Sequence, residues 1–158
     1  MLKPIQVKRL RSGQGRFAIV ASKYNTRYVD AMVRAAKAEF LQAGANSVLL
    51  VRVPGAFEVP VAAARLARSK KDGGFSAIIC LGVILRGATT HAAHVGEAVT
   101  RALMDLQVEC ELPLVHEVLL LENKEQARER CLGSKHNRGR EAAQTALAMA
   151  QVMKTLKI

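Results

Sequence analysis

Four short, almost unbroken apolar runs, each separated from the next by a segment of helical period, leave this chain few folds to choose from. The runs are residues 17–21 (FAIVA), 48–53 (VLLVRV), 77–85 (AIICLGVIL) and 114–121 (LVHEVLLL). Three are nearly all apolar, as strands covered on both faces must be; a strand with one wet face alternates instead. Residues 26–43 carry Val29, Met32, Val33, Ala36, Phe40 and Leu41 at spacings of three and four and stop at Gly44, which predicts a helix. A second helix is expected over 59–70, with Pro60 tolerated in its first turn and Gly73-Gly74 ending it. A third, over 91–106, places Val95, Ala98, Val99, Ala102, Leu103 and Leu106 on one face. A short fourth covers 124–131 and a long C-terminal helix covers 140–156. The order β-α-β-α-β-α-β-α-α predicts an α/β fold, a three-layer α/β/α sandwich with a four-stranded parallel sheet. The first dozen residues read as an N-terminal arm that would extend a sheet, docked on a neighbour or disordered. With no repeat, linker or low-complexity stretch, residues 1–158 read as one domain.

Half the residues are hydrophobic, enough for a real core, but aromatics are 4 % and Trp is absent. The core must therefore be built from Ala, Val, Leu and Ile, and an Ala-rich chain of this size often associates with its own copies. A net charge of +11 suits anionic partners: phosphates, nucleic acid or a membrane surface. Charge does not choose among these, and a basic solvated surface is the alternative reading. Three cysteines (Cys80, Cys110 and Cys131), odd in number and far apart, argue against a disulfide framework and a zinc ribbon. They point to a reducing compartment. The basic start has no apolar stretch of signal-peptide length, and no segment approaches the ~20 apolar residues that cross a bilayer. The expectation is a soluble, cytoplasmic protein with no membrane partner.

In open parallel sheets ligands bind beyond the carboxyl ends of the strands. The residues there are Ser22-Lys23-Tyr24-Asn25, Pro54-Gly55-Ala56-Phe57-Glu58, Arg86-Gly87-Ala88-Thr89-Thr90-His91 and Glu122-Asn123. In RGATTH, Gly87 allows close backbone approach, Thr89 or Thr90 can cap the helix, and the helix start offers amides and a positive dipole end to an anion. An ordinary capped helix start is the competing reading. His91, in the first turn, can pass protons beside such a site, or can be a surface or capping His. His94, three residues on, makes a His pair with no third ligand nearby, so no metal is expected. In VPGAFEVP, Gly55 allows the turn and Glu58 falls early in a helix, where the dipole favours a carboxylate. Tyr24 can stack on a flat heterocycle, or simply pack beside a capping Asn25. The basic run Arg128, Arg130, Lys135, His136, Arg138 and Arg140, punctuated by Gly133 and Gly139, can hold a phosphate, face RNA or form a solvated surface.

Taken in order, these segments resemble the lumazine synthase family over residues 17–153. VPGAFEVP is similar to that family's VPGAFE(I/L)P turn and LGVILRGATTH to its LGxVIRGxTxH segment. SKYN stands where the family has an aromatic followed by Asn. ENKEQARER, then Asn137-Arg138-Gly139 and EAAQTALAM, resemble its C-terminal signature.

The resemblance implies condensation of 5-amino-6-ribitylamino-uracil with 3,4-dihydroxy-2-butanone 4-phosphate to 6,7-dimethyl-8-ribityllumazine, in riboflavin biosynthesis and without a cofactor. Tyr24 would stack on the uracil ring. Asn25, Ala56, Phe57 and Glu58 would border ring and ribityl chain, and Val83, Ile84 and Leu85 would offer backbone groups to the pyrimidine. Gly87, Ala88, Thr89 and Arg130 would hold the phosphate, and His91 would be the catalytic proton-transfer residue. Arg138 falls where the family commonly has Lys. His116 stands where it usually places Phe beside the heterocycle. Ala92-Ala93-His94-Val95 replaces an aromatic and an acid after His91, and Leu120-Leu121 replaces a Thr pair. These departures keep open a non-catalytic lumazine- or flavin-binding, or shell-forming, scaffold. The related archaeal-type riboflavin synthase is disfavoured by VPGAFE and RGATTH, and a nucleic-acid partner by the scarcity of aromatics and the lack of an RNA-binding motif. The family forms homopentamers, pairs of pentamers or icosahedral shells of twelve, and the short 133–139 loop permits a shell.

Overall fold

The computed structural model of the chain describes residues 15–45 and 47–156, so the expected N-terminal arm lies outside them. The elements are β1 (Phe17–Ser22), α1 (Thr26–Gln42), β2 (Val48–Val53), α2 (Val59–Ala67), β3 (Ala77–Leu85), α3 (His91–Cys110), β4 (Leu114–Leu121), α4 (Lys124–Cys131) and α5 (Arg138–Thr155). All strands are parallel, in the order β2-β1-β3-β4. The chain winds from β1 to β2 in one direction, then returns past β1 to add β3 and β4. The winding reverses between β1 and β3, the switch point at which open sheets of this kind form a crevice.

The period-2 geometry of β1 divides the core. Phe17, Ile19 and Ala21 join the cluster with α1, α4 and α5, while Ala18 and Val20 join the one with α2 and α3. All six β1 side chains are buried, which is why this run could not alternate. The Phe17 and Phe40 rings pack at 4.8 Å between centroids, and small residues fill much of the rest. Alanine lets elements approach closely, and Gly139 carries this furthest: a Cβ there would collide with the Met32 carbonyl at the crossing of α1 and α5.

Helix boundaries differ from expectation for local reasons. α2 ends at Ala67 rather than 70, followed by a 3-10 turn over Lys71–Gly73. α3 runs on to Cys110, where Glu111 turns left-handed (φ 48°) before Pro113. α5 starts two residues early because the Asn137 side chain accepts from the amides of Gly139 and Arg140. β4 is an edge strand, and side chains blunt it: Gln107 Oε1, His116 Nδ1 and Gln126 Oε1 accept from the amides of Leu114, Val118 and Glu122.

Candidate active site

The cleft at the switch point is made by a difference in strand length. Pairing of β1 with β3 ends at Ala21–Leu81, but β3 continues to Leu85 beside β4. The Ile78 and Arg86 amides donate to Pro113 and Leu121, so even-numbered residues of β3 face β4. Val83 and Leu85 therefore turn their backbone groups towards the space that β1 has vacated. Ile84 does not: its amide and carbonyl face β4, so only two of the three expected backbone partners point into the cleft.

The loop after β1 closes this space from the other side. Lys23 N–H donates to the carbonyls of Val53 and Pro54 and Tyr24 N–H to Pro54, lacing the loop to the end of β2. Asn25 sits left-handed (φ 57°) at the start of α1, but its side chain makes no cap. Instead its Nδ2 donates to the Val83 carbonyl at 2.7 Å, bridging the crevice. Glu58 Oε2 accepts from the Gly55 amide at 2.8 Å, and the Tyr24 ring lies over Gly55, so a Cβ there would meet both groups within about 3 Å. Tyr24 and Phe57 remain 68 % and 63 % exposed, two large rings left facing solvent at the mouth, while Ala56 is buried behind them. On the floor, the buried Ser22 hydroxyl has no partner among the described residues.

Past Leu85 the chain enters α3 through Gly87, Ala88, Thr89 and Thr90, all exposed. No described residue lies within 4 Å of a Cβ built on Gly87, so the backbone there is open to a ligand. Thr90 holds the N-cap position without a side-chain cap, and Thr89 Oγ1 accepts only weakly, from His91 N–H at 3.4 Å. The first bond of the helix proper runs from His94 N–H to the Thr90 carbonyl, leaving the amides before it directed out of the helix end. His91 is exposed beside them. Arg86, the first residue of the motif, turns aside to pair with Glu122 at 2.9 Å.

His116, Arg130 and Arg138 stand apart from this cleft. His116 Nδ1 accepts from the Val118 amide at 3.0 Å, which puts the ring proton on Nε2, 2.7 Å from Thr100 Oγ1; that hydroxyl donates to the Gly96 carbonyl. Both nitrogens are used, and burial holds His116 below its ordinary pKa. Thr100 is nine residues beyond His91 on α3, a rise of about 14 Å. Arg130 and Arg138 lie on the opposite side of the sheet, in the α4–α5 layer, grouped about Glu117. One chain thus brings together Tyr24, Asn25, Ala56, Phe57, Glu58, Val83, Leu85, Gly87, Ala88, Thr89 and His91, and leaves His116, Arg130 and Arg138 elsewhere.

Glu117 is a residue that motif reading passed over. Its burial pushes the carboxyl up to about 7, against the pull of Arg138 and Arg130 and with repulsion from Glu141. The signal was available: a carboxylate inside a strand covered on both faces has to be buried.

A sequence model of the 6,7-dimethyl-8-ribityllumazine synthase family matches residues 14–154. A protein of that name from Xanthomonas oryzae pv. oryzae is 40 % identical over 149 residues, spanning 93 % of this chain and 95 % of that protein. Its namesake from Aquifex aeolicus is 42 % identical over 145 residues, 90 % of this chain and 92 % of that one. A third, from Pseudarthrobacter chlorophenolicus, is 40 % identical over 145 residues, 90 % of this chain and 87 % of that one.

Proposed function

The chain belongs to the 6,7-dimethyl-8-ribityllumazine synthase family, and we infer that it is the transferase of riboflavin biosynthesis that condenses 5-amino-6-ribitylamino-uracil with 3,4-dihydroxy-2-butanone 4-phosphate. The products are 6,7-dimethyl-8-ribityllumazine, phosphate and two waters. The observation that carries the site assignment is the overrun of β3. It turns the backbone of Val83 and Leu85 towards the cleft, at whose mouth two rings face solvent, and it leads straight to the uncapped start of α3. A flat heterocycle with amide-like edges fits the first part and a phosphate the second.

In this reading Tyr24 stacks on the uracil ring, and Asn25, Ala56, Phe57 and Glu58 border ring and ribityl chain. Glu58 keeps Oε1 for a ribityl hydroxyl while Oε2 braces the turn. Amine attack on the ketone, loss of water, elimination of phosphate and ring closure call for proton transfer and an anion hold rather than a strong nucleophile. His91 moves the protons, and Gly87, Ala88 and Thr89 hold the phosphate from below. Arg130 and Arg138 reach that phosphate from a second copy, since within one chain the sheet lies between them and the α3 start. The assembly is accordingly a homopentamer or a larger set of pentamers, with active sites at subunit boundaries. The open groove of about 610 Å³ between α3 and β4, lined by Gly96, Thr100, Met104, Val118 and Leu120, is an apolar seat for such a neighbour.

Turnover with both substrates tests the activity: lumazine forms only when both are present. A protein that binds lumazine but makes none is a scaffold instead. Light scattering tests the assembly, and a monomer fully active at micromolar concentration rules the two-chain site out.

A further inference from the structure

Glu117 is the one carboxylate within β4, and no step of the reaction above uses it. Its side chain is 15 % exposed and faces the α4–α5 layer. Arg138 Nη1 lies 3.9 Å from Glu117 Oε1 and 2.9 Å from Glu141 Oε2. Arg138 Nε is buried with no acceptor among the described residues. From α4, Arg130 adds a second positive charge and Cys131 a thiol, which burial first and Glu117 second keep protonated. β3 offers only Leu81 opposite in register. Arg138 is thus divided between two carboxylates with the charge of Arg130 nearby, and one of those carboxylates titrates near neutrality because it is buried.

A guanidinium has five donors in a fixed fork. Here one Nη1 is committed to Glu141, the contact to Glu117 is loose, and Nε is empty. Such a group is short of acceptors, and an oxyanion would complete it. An arriving phosphate, however, sets new negative charge beside Glu117, and two like charges this close cannot both stay ionised without cost.

We propose that Glu117 is a positioning residue that competes with the substrate's phosphate for Arg138, so that filling the phosphate hold is coupled to uptake of one proton by Glu117. This rests on the reading that Arg130 and Arg138 hold that phosphate. The proton comes from solvent and joins the carboxylate, and no covalent bond of the substrate changes in the step. Ionised, Glu117 neutralises Arg138 and weakens the hold. Protonated, it leaves Arg138 to the anion. Linkage is reciprocal: the factor by which phosphate raises the proton affinity of Glu117 is the factor by which the proton tightens phosphate.

Two measurements on the assembled wild-type protein and on Glu117→Gln test this. The first is calorimetric titration with inorganic phosphate between pH 6.5 and 8.5, in buffers of different ionisation enthalpy. The wild type should take up as much as about half a proton per phosphate more than phosphate's own ionisation explains, the most that a tenfold coupling allows, and Glu117→Gln should not. The second is KM for the ketose phosphate across the same range. In the wild type it should rise roughly tenfold more than in Glu117→Gln, the size of an ordinary coupling. No excess proton uptake by the wild type overturns the proposal without recourse to any variant. So do parallel KM profiles in the two proteins, if Arg130→Ala or Arg138→Ala still raises that constant. Should neither arginine variant move KM, the phosphate reading itself falls.

Discussion

The cleft beyond β1 and β3 and the charged cluster beside β4 are built on opposite principles. The cleft is made of loop residues adjacent in sequence, mostly exposed, and its recognition groups are backbone amides and carbonyls freed because β1 is shorter than β3. The cluster draws Glu117 from a strand, Arg130 and Cys131 from one helix and Arg138 and Glu141 from another, and it is half-buried. The cleft suits a neutral ring, recognised by shape and hydrogen-bond pattern. The cluster suits an anion, recognised by charge whose strength depends on how well water is kept out. The contrast teaches that one half of this site can change without disturbing the fold, whereas the other is part of the packing.

Substitutions of two glycines bracket that contrast. The largest effect is expected at Gly139→Val, which forces α5 off the Met32 backbone and dismantles the layer carrying Arg138. A loss on the order of 4 kcal/mol or more should follow, seen as little folded protein in a thermal melt. If the variant melted like the wild type, the cluster would not depend on that crossing.

Next comes His91→Ala, which should lower turnover about a hundredfold at saturating substrate, the low end for general acid–base catalysis. His116→Phe should keep turnover within a few-fold, because both nitrogens of His116 are committed to Val118 and Thr100. The reverse pattern would move the proton transfer to the β4 side of the molecule.

Arg130→Ala should raise KM for the ketose phosphate roughly ten- to a hundredfold, the loss of a charge-assisted contact of about 1.5–3 kcal/mol. KM for the uracil substrate is the internal control. Equal effects on both constants would mean that Arg130 shapes the site generally rather than holding an anion.

A smaller effect should appear in stability against pH. Glu117 holds its proton to about pH 7 when folded, against 4.5 for the ordinary carboxyl. The folded state therefore binds the extra proton between those values, and stability should fall as pH rises through that window and level off above it. The slope is at most about 1.4 kcal/mol per pH unit. Denaturant melts from pH 4 to 9 should show this fall in the wild type and not in Glu117→Gln; the same slope in both would assign it to another group. The smallest effect is Gly87→Ala, whose added methyl meets none of the described residues within 4 Å and should change stability by less than about 0.5 kcal/mol. Any cost should appear only as weaker phosphate binding, and a large drop in melting temperature would show the α3 entry to be structural after all.

The sequence by itself determined the layers and the cleft. Apolar runs too continuous to alternate required a sheet covered on both faces, and helical periods between them required parallel crossovers. The special residues VPGAFE and RGATTH fell at strand ends because each motif is local: turn, backbone exposure and helix start lie within a few residues of one another. Local chemistry did not show that Asn25 would reach across to Val83 rather than cap α1, since that choice depends on where β3 lies beside β1. Nor could it show that Ile84 faces β4, because the direction of a backbone group follows from strand pairing. Only the tertiary structure gathered Glu117, Arg130, Arg138 and Glu141, up to 24 residues apart in the chain, into one charged group. It also set His116 against Thr100, about 14 Å along α3 from His91. The physical reason is range: hydrophobic period and turn preference act over a few residues, while burial of a charge and the partners it finds are settled by which elements pack together.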